Sequence, residues 1–342
     1  MMKAGYLFKS RRTLTLVLVI GPVLVILASL FIGKYQADPG SIISLLISKM
    51  NPWFQGTFPG NLETAILQVR LPRVLLAVLV GMSLSIAGAS YQGLFRNPLV
   101  SSQILGVASG ASFGAALGIM LSASSLIIQI MAFGFGLVAV GLALAITRFY
   151  RSSPTLTLVL AGVVIGSFFA SLVSLITYTA DPNLKLPAIV FWLMGSLSAS
   201  ANQDLLFAVP PMIIGITVLM LIRWRINVLS MGEEEAKAMG VDTGKLRIII
   251  VVCCTLVASA SVCVSGVIGW IGLVIPHFAR ILVGPDHKVL LPACLSIGGV
   301  YLLLMDDIAR TATSSEIPLG ILTGIIGAPI FAYLLTKGAR WS

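Results

Sequence analysis

Charge is what this chain has least of. Charged residues make up 10% of its 342 residues, against roughly a quarter in soluble domains. No stretch between its apolar runs is long enough to bury a core of its own, which excludes a soluble domain and predicts one membrane domain over 1–342. Chemical groups are equally scarce. The sequence holds no nucleophile–base set, metal-ligand cluster or phosphate-binding glycine loop, so neither catalysis nor a bound cofactor or metal is expected. Its four cysteines, Cys253, Cys254, Cys263 and Cys294, lie inside apolar segments without ligand spacing and read as small packing residues. A net charge of +10 could suit nucleic acid, but the basic residues are scattered between apolar runs instead of forming a patch. That scatter is what orientation in a lipid bilayer requires, and no nucleic-acid partner is expected.

What the chain has in abundance is apolar length, with 58% hydrophobic residues and a mean hydropathy of +1.03. Apolar windows predict ten spans, at 13–33, 69–91, 99–120, 124–147, 155–178, 204–222, 246–266, 268–283, 289–310 and 318–336. Windows this long and uniform suit helices and not barrel strands, so the predicted fold is all-α and polytopic. Gly, Ser and Pro interrupt the third and eighth. The run Thr13–Gly33 exceeds a usual signal core and is read as a retained anchor. Ten spans put both termini on one side. Of the 22 lysines and arginines, only Lys34, Lys49, Arg70, Arg73, Lys185 and Arg310 then fall on the other, which makes the termini cytoplasmic. Gly106, Gly110, Gly114 and Gly118 form a stripe for close helix approach. Pro276, Pro329 and the pair Pro210–Pro211, which opens the sixth span, are expected to bend or break helices.

A self-sufficient secondary transporter or channel is the alternative, and a driven one needs ionisable groups at mid-membrane. Nearly all twelve acidic residues fall in loops or at span ends. Asp306 and Asp307, in the last turns of the ninth span, are read as partners of Arg310 or as caps. His277 and His287 are read as structural. Driving energy is therefore expected to enter through a partner. The connection 226–247 between the sixth and seventh spans offers a contact: Glu233, Glu234, Glu235, Ala236, Lys237, Ala238 and Met239 predict a short helix stopped by Gly240. Such a helix has no core of its own and needs a surface to lie against.

RLPRVLLAVLVGMSLSIAGASYQGLFRNPLVSSQILGVASGA at 70–111 strongly resembles the permeases of type II ABC importers, the iron-siderophore, haem and vitamin B12 uptake family. So do GEEEAKAMGVDTGKLR at 232–247, GVIGWIGLVIPHFARILVGPDHKVLLP at 266–292 and DDIARTATSSEIPLGILTGIIGAPIFAYLL at 306–335. The resemblance implies a vitamin B12 importer permease-like fold of ten transmembrane helices. It also implies two permeases, a homodimer or a pair of paralogues, around a central pathway in a bacterial or archaeal inner membrane. Two ABC ATPase subunits would dock below and an extracytoplasmic substrate-binding protein outside. It further implies that Glu233 to Gly240 form the coupling helix to the ATPase, and that Arg70, Arg73 and Arg310 are outward arginines pairing with the binding protein. Asn97 and Leu99 of the RNPL turn match a cytoplasmic gate, with Ser153 and Thr155 a weaker match for its second element. The implied function is alternating-access passage of an iron-siderophore or related metal chelate (haem, cobalamin, possibly molybdate), with ATP hydrolysed in the separate subunit.

Overall fold

The computed structural model describes residues 11–35, 37–51, 58–149 and 154–338. Its described residues form helices and connections, with no strand among them. In chain order these are α1 (Arg11–Ser29), α2 (Pro39–Met50), α3 (Gly60–Glu63), a π-helical turn (Thr64–Arg70), α4 (Leu71–Phe95), α5 (Val107–Met120), α6 (Ser125–Phe149) and α7 (Pro154–Thr179). There follow α8 (Lys185–Leu193), α9 (Asn202–Leu221), α10 (Arg223–Met231), α11 (Glu233–Ala238), α12 (Thr243–Ser265), α13 (Ile271–Val283), α14 (His287–Thr311) and α15 (Leu319–Gly338).

Each predicted span meets a helix. Six of the described helices are long and apolar enough to cross a membrane, and four more are shorter apolar helices at Leu16–Ser29, Val107–Met120, Ile271–Val283 and Leu319–Leu334. The third span shrinks to α5 because residues 97–106 stay irregular, and the eighth begins only at Ile271. Helices α2, α8 and α10 lie outside the predicted spans. Pro210 and Pro211 sit within α9 instead of opening it, and α9, α13 and α15 run on through their prolines as single elements.

Helix α4 continues the π-helical turn without a break, so Gly60–Phe95 is one 36-residue rod buried along most of its length. Around it pack α14, α12, α13, α9 and α10. Helices α5, α6 and α7 form a second group that joins the first through α12. Small residues decide how close these helices come, because lipid supplies no hydrophobic drive between them. A Cβ at Gly88 would overlap the main chain of Gly272 in α13, and one at Gly298 in α14 would lie 2.6 Å from the Gly81 carbonyl. Backbone therefore rests on backbone. The predicted glycine stripe divides in two. Gly110, Gly114 and Gly118 face α6, whereas Gly106 takes φ +81 to start α5 and abuts α7 at Gly162 and Gly166. The outward faces of α6, α7 and α9 keep large apolar side chains exposed, among them Leu142, Val164, Phe168 and Ile214, as lipid contact requires.

This packing predicts a sharp asymmetry among glycines. Gly88→Ala should destabilise by about 1–3 kcal/mol, the usual cost of overpacking a tight core. Gly141→Ala, whose Cβ meets nothing within 4 Å, should melt like the native chain. Melting curves in detergent compare the two directly.

Candidate functional site

Three sets of residues define the working parts, and they occupy opposite ends and the middle of the bundle. At one end lie the RNPL turn and the α10–α11 unit. Helix α4 ends at Arg96, which takes a left-handed conformation at φ 51. The Asn97 side chain then accepts the Leu99 N–H at 2.9 Å, an Asx turn that Pro98 suits. Val100 turns back to donate to the Asn97 carbonyl at 3.3 Å, which leaves Leu99 projecting with 56% of its surface exposed.

The connection between α9 and α12 is itself mostly helical. Helix α10 buries Ile226, Val228 and Leu229 in the main core, so it is anchored. Gly232 then reverses the chain into α11. Only Ala236 of α11 is fully buried; Glu234, Glu235, Lys237, Ala238 and Met239 are exposed. The predicted stop is present in full. Gly240 at φ 77 donates to the Lys237 carbonyl at 2.9 Å, and Val241 to the Ala236 carbonyl at 2.9 Å, a Schellman closure. Glu233 pairs with Arg247 of α12 and accepts a long 3.5 Å hydrogen bond from Thr155 at the start of α7. Thr155 thus lies beside α11, while Ser153 lies outside the described residues. Asp242 caps α12 by accepting the Lys245 N–H at 3.0 Å, which holds its carboxyl below the usual carboxylate range. His287, expected in a loop, is the first residue of α14; its main-chain N–H donates to the Asn227 side-chain oxygen of α10 at 3.1 Å.

At the opposite end the three expected docking arginines are buried and engaged within the chain. Arg73 is 6% exposed; it holds Asp306 through Nε at 3.0 Å and Nη2 at 2.8 Å, and Glu316 through Nη1 at 2.9 Å. Arg310 pairs with Asp307 and donates to the Ser29 carbonyl at 2.9 Å, while the Ser29 hydroxyl donates to Asp307 at 2.6 Å. Arg70 donates to the carbonyls of Leu30 at 3.0 Å and of Tyr35. Each of the three has partners within the chain, and together they tie α1, α4, α14 and the 312–318 loop into one block. Asp306 and Asp307 have the structural role expected of them.

The middle of the bundle carries what the sequence signalled only as doubtful spans. The irregular segments 97–106 and 266–270 meet beside the centre of α4, where Gly272 abuts Ser102 and the Leu84 carbonyl. The Gln103 side chain donates to the Ile268 carbonyl at 3.0 Å, and a cleft of about 140 Å³ opens between Ser101, Gln103, Gly269 and Trp270. Trp270 starts α13 at φ 69 and packs against Phe331 of α15, with ring centroids 6.4 Å apart. Irregular backbone at membrane depth is tolerated where it is buried in protein or lines a cavity, and here it does both. A larger cleft of about 630 Å³ lies under α8, where Gln129 donates to Asp204 at 2.6 Å. Gly and Ser within an apolar window were the available signal for the broken segments. His277 is buried against Phe331, as its structural reading expects.

A bundle of long apolar helices with irregular segments inside it, and an anchored helix pair presenting an exposed face, is the architecture of a polytopic membrane protein. The chain belongs to the FecCD transport family, whose model matches residues 19–337. It is 41% identical over 332 residues to the molybdate import system permease protein MolB of Haemophilus influenzae, covering 96% of this chain and 95% of that one. It is 43% identical over 277 residues to a Helicobacter pylori protein named as an iron chelatin transport system permease, covering 81% of this chain and 84% of that one. A solved metal-chelate type ABC transporter in an inward-facing conformation superposes with a TM-score of 0.85 at 38% identity, covering 95% of this chain and 99% of that one. The chain is accordingly an ABC importer permease, in a family that acts with ATPase and substrate-binding partners.

The arginine block predicts a stability phenotype. Asp306→Ala leaves the buried Arg73 with Glu316 alone and should cost about 3–5 kcal/mol, as removal of one member of a buried pair does. Lys49→Ala breaks only an exposed pair with Glu63 and should change stability by less than about 1 kcal/mol. Thermal denaturation of the purified variants reads both.

Proposed function

We propose that this chain forms half of the translocation pathway of an ATP-driven importer and carries a metal chelate by alternating access. One observation carries the reading: α11 is fixed to the bundle through buried Ala236 and the Glu233–Arg247 pair, yet presents Glu234, Glu235, Lys237 and Met239 outward. A helix rigidly joined to the spans and open on its other face suits the transmission of a partner's movement. Its partner there is a separate ATPase subunit, and ATP is hydrolysed in that subunit. A second permease, identical or paralogous, completes the pathway. The termini and α11 face the cytoplasm, on the weight of the basic residues.

The RNPL turn at the same end serves as the cytoplasmic gate, with Leu99 as its projecting side chain and Thr155 linking α7 to the coupling helix. At the other end Arg70, Arg73 and Arg310 act on docking from beneath. They fix the segments after α1 and before α15, the surface on which a substrate-binding protein would sit. Direct pairing of these arginines with that protein's carboxylates is the expected docking role, and their partners within the chain brace the same segments.

Replacing Glu233–Met239 with a Gly/Ser linker should leave an inserted, folded permease that no longer copurifies with its ATPase. In the same cells the Lys237→Cys variant should react with an impermeant thiol reagent only after permeabilisation. Retained copurification and transport would remove the coupling role.

The substrate is carried to the permease by the binding protein, so the cargo is best read there. A ferric siderophore is the first reading. Molybdate is the second, favoured by a likeness to the Haemophilus influenzae permease that runs almost end to end. Titrating the cognate binding protein with ferric siderophore, haem, cobalamin and molybdate should give sub-micromolar affinity for one class and weak binding for the rest. Tight binding of molybdate alone would replace the chelate reading with an oxyanion one.

A further inference from the structure

Arg280 lies in the last turn of α13, and none of the ion pairs among the described residues includes it. Its Nη2 donates to the Gln92 side-chain oxygen at 2.8 Å, while its Nη1 is buried with no partner among the described residues. The other end of the Gln92 amide donates to the Val100 carbonyl at 3.1 Å. This pairing fixes the amide's orientation, since only its oxygen accepts from a guanidinium and only its nitrogen donates to a carbonyl. The main-chain carbonyl of Gln92 also accepts the Asn97 N–H at 3.2 Å. One residue of α4 therefore grips the RNPL turn at both ends, through its main chain at Asn97 and its side chain at Val100. Gln92 is 3% exposed and Val100 4%, so water cannot readily substitute for these bonds.

We propose that Arg280 and Gln92 are positioning residues for the RNPL turn, a latch through which α13 sets the placement of Asn97 and Leu99. The proposal rests on the gate reading of that turn. The chemistry suits a latch more than a simple strut. A strut would be best built from a carboxylate, which would hold Arg280 more strongly but could not donate to Val100. The neutral amide can do both, and so passes a constraint from α13 to the turn. Helix α13 is tied at its other end to the mid-bundle junction, where Trp270 packs edge-on against Phe331 and Gln103 reaches the Ile268 carbonyl. A shift of α13 against α4 would thus act on the turn directly. The unpartnered Nη1 is a donor available to a carbonyl of the displaced turn, so one hydrogen bond can replace another during the movement.

The test uses the complete transporter, reconstituted with its ATPase and binding protein, and two variants. Gln92→Glu keeps an acceptor for Arg280 but cannot donate to Val100; Arg280→Met removes the guanidinium. Hydrogen exchange of residues 97–106 reads the latch, with α12 as internal reference. Both variants should raise exchange of 97–106 by about tenfold, the loss of one buried hydrogen bond, and leave α12 unchanged. Thiol labelling of a Leu99→Cys variant, with and without a non-hydrolysable ATP analogue, reads the gate; the four native cysteines are buried. The nucleotide-dependent difference in labelling should be clear in the otherwise native chain and nearly lost in both latch variants. Unchanged exchange at 97–106 overturns the latch whatever the labelling shows. Faster exchange in α12 as well as the turn, in Gln92→Glu, also overturns it, because the pair would then be general packing. Raised exchange of the turn alone, with Leu99→Cys labelled equally in both nucleotide states of the native chain, overturns the gate reading and with it the latch's role in gating.

Discussion

Gly88 of α4 meets Gly272 of α13 with no room for a methyl group between them, and Gly81 meets Gly298 of α14 in the same way. Inside a bilayer such contact takes the place of the hydrophobic effect. Apolar side chains gain nothing by leaving lipid for protein, so helices are held by dispersion across surfaces that fit and by the few polar groups that must find partners. The arrangement of the bundle follows from that. Helix α4 carries the small residues and sits at the centre, while α6, α7 and α9 keep their Leu, Val and Phe side chains outward. The close approach also stations one end of α4 beside the arginine block and the other beside the RNPL turn.

Charge in this molecule is scarce, and most of its acidic side chains are engaged locally. Asp38, Asp242 and Asp286 cap helices by accepting main-chain N–H groups, Asp204 reaches back to the Ala201 N–H at the start of α9, and Asp181 accepts such groups in a turn. The cations assigned to the sparse side share this property. Lys34 donates to the Ser314 carbonyl at 2.8 Å, Lys49 pairs with Glu63 at 2.6 Å and Lys185 reaches the Met120 carbonyl. With Arg70, Arg73 and Arg310 they complete the six exceptions to the basic-residue asymmetry, and each has a partner within the chain. Exceptions to an orientation rule are tolerable when the fold itself supplies the counter-charge or an acceptor.

Most of this fold was legible in the sequence because membrane insertion writes itself into residue type over some twenty positions at a time. Every apolar window fell on a helix, and the Gly240 stop appeared as read. Short elements escaped for the converse reason. Helix α8 has nine residues and α10 carries three cations or amides in its first turns, so neither gives a window signal. Pairings across long separations were invisible too. Arg73 and Asp306 stand 233 residues apart, and nothing local distinguishes a buried arginine from one facing a partner protein. The family resemblance pointed to Arg70, Arg73 and Arg310 as one outer group, and the fold adds what sequence did not signal, their burial at 4–6% exposure among partners within the chain. Gly106 lay in register with a packing stripe and proved to be a backbone device, because a fourfold spacing does not reveal a positive φ.

The separation of Arg73 from Asp306 also sets an order of events during synthesis. Helix α4 is made while Asp306 still lies two-thirds of the chain ahead, so Arg73 is synthesised before its carboxylate partners, whereas the carbonyl acceptors of Arg70, at Leu30 and Tyr35, precede it. When α14 arrives, Asp306 completes the pair, and the packing of the rod at the centre of the bundle is finished by the last third of the polypeptide. The first half of this protein therefore inserts before it can assemble, and its assembly waits on residues that the ribosome has yet to reach.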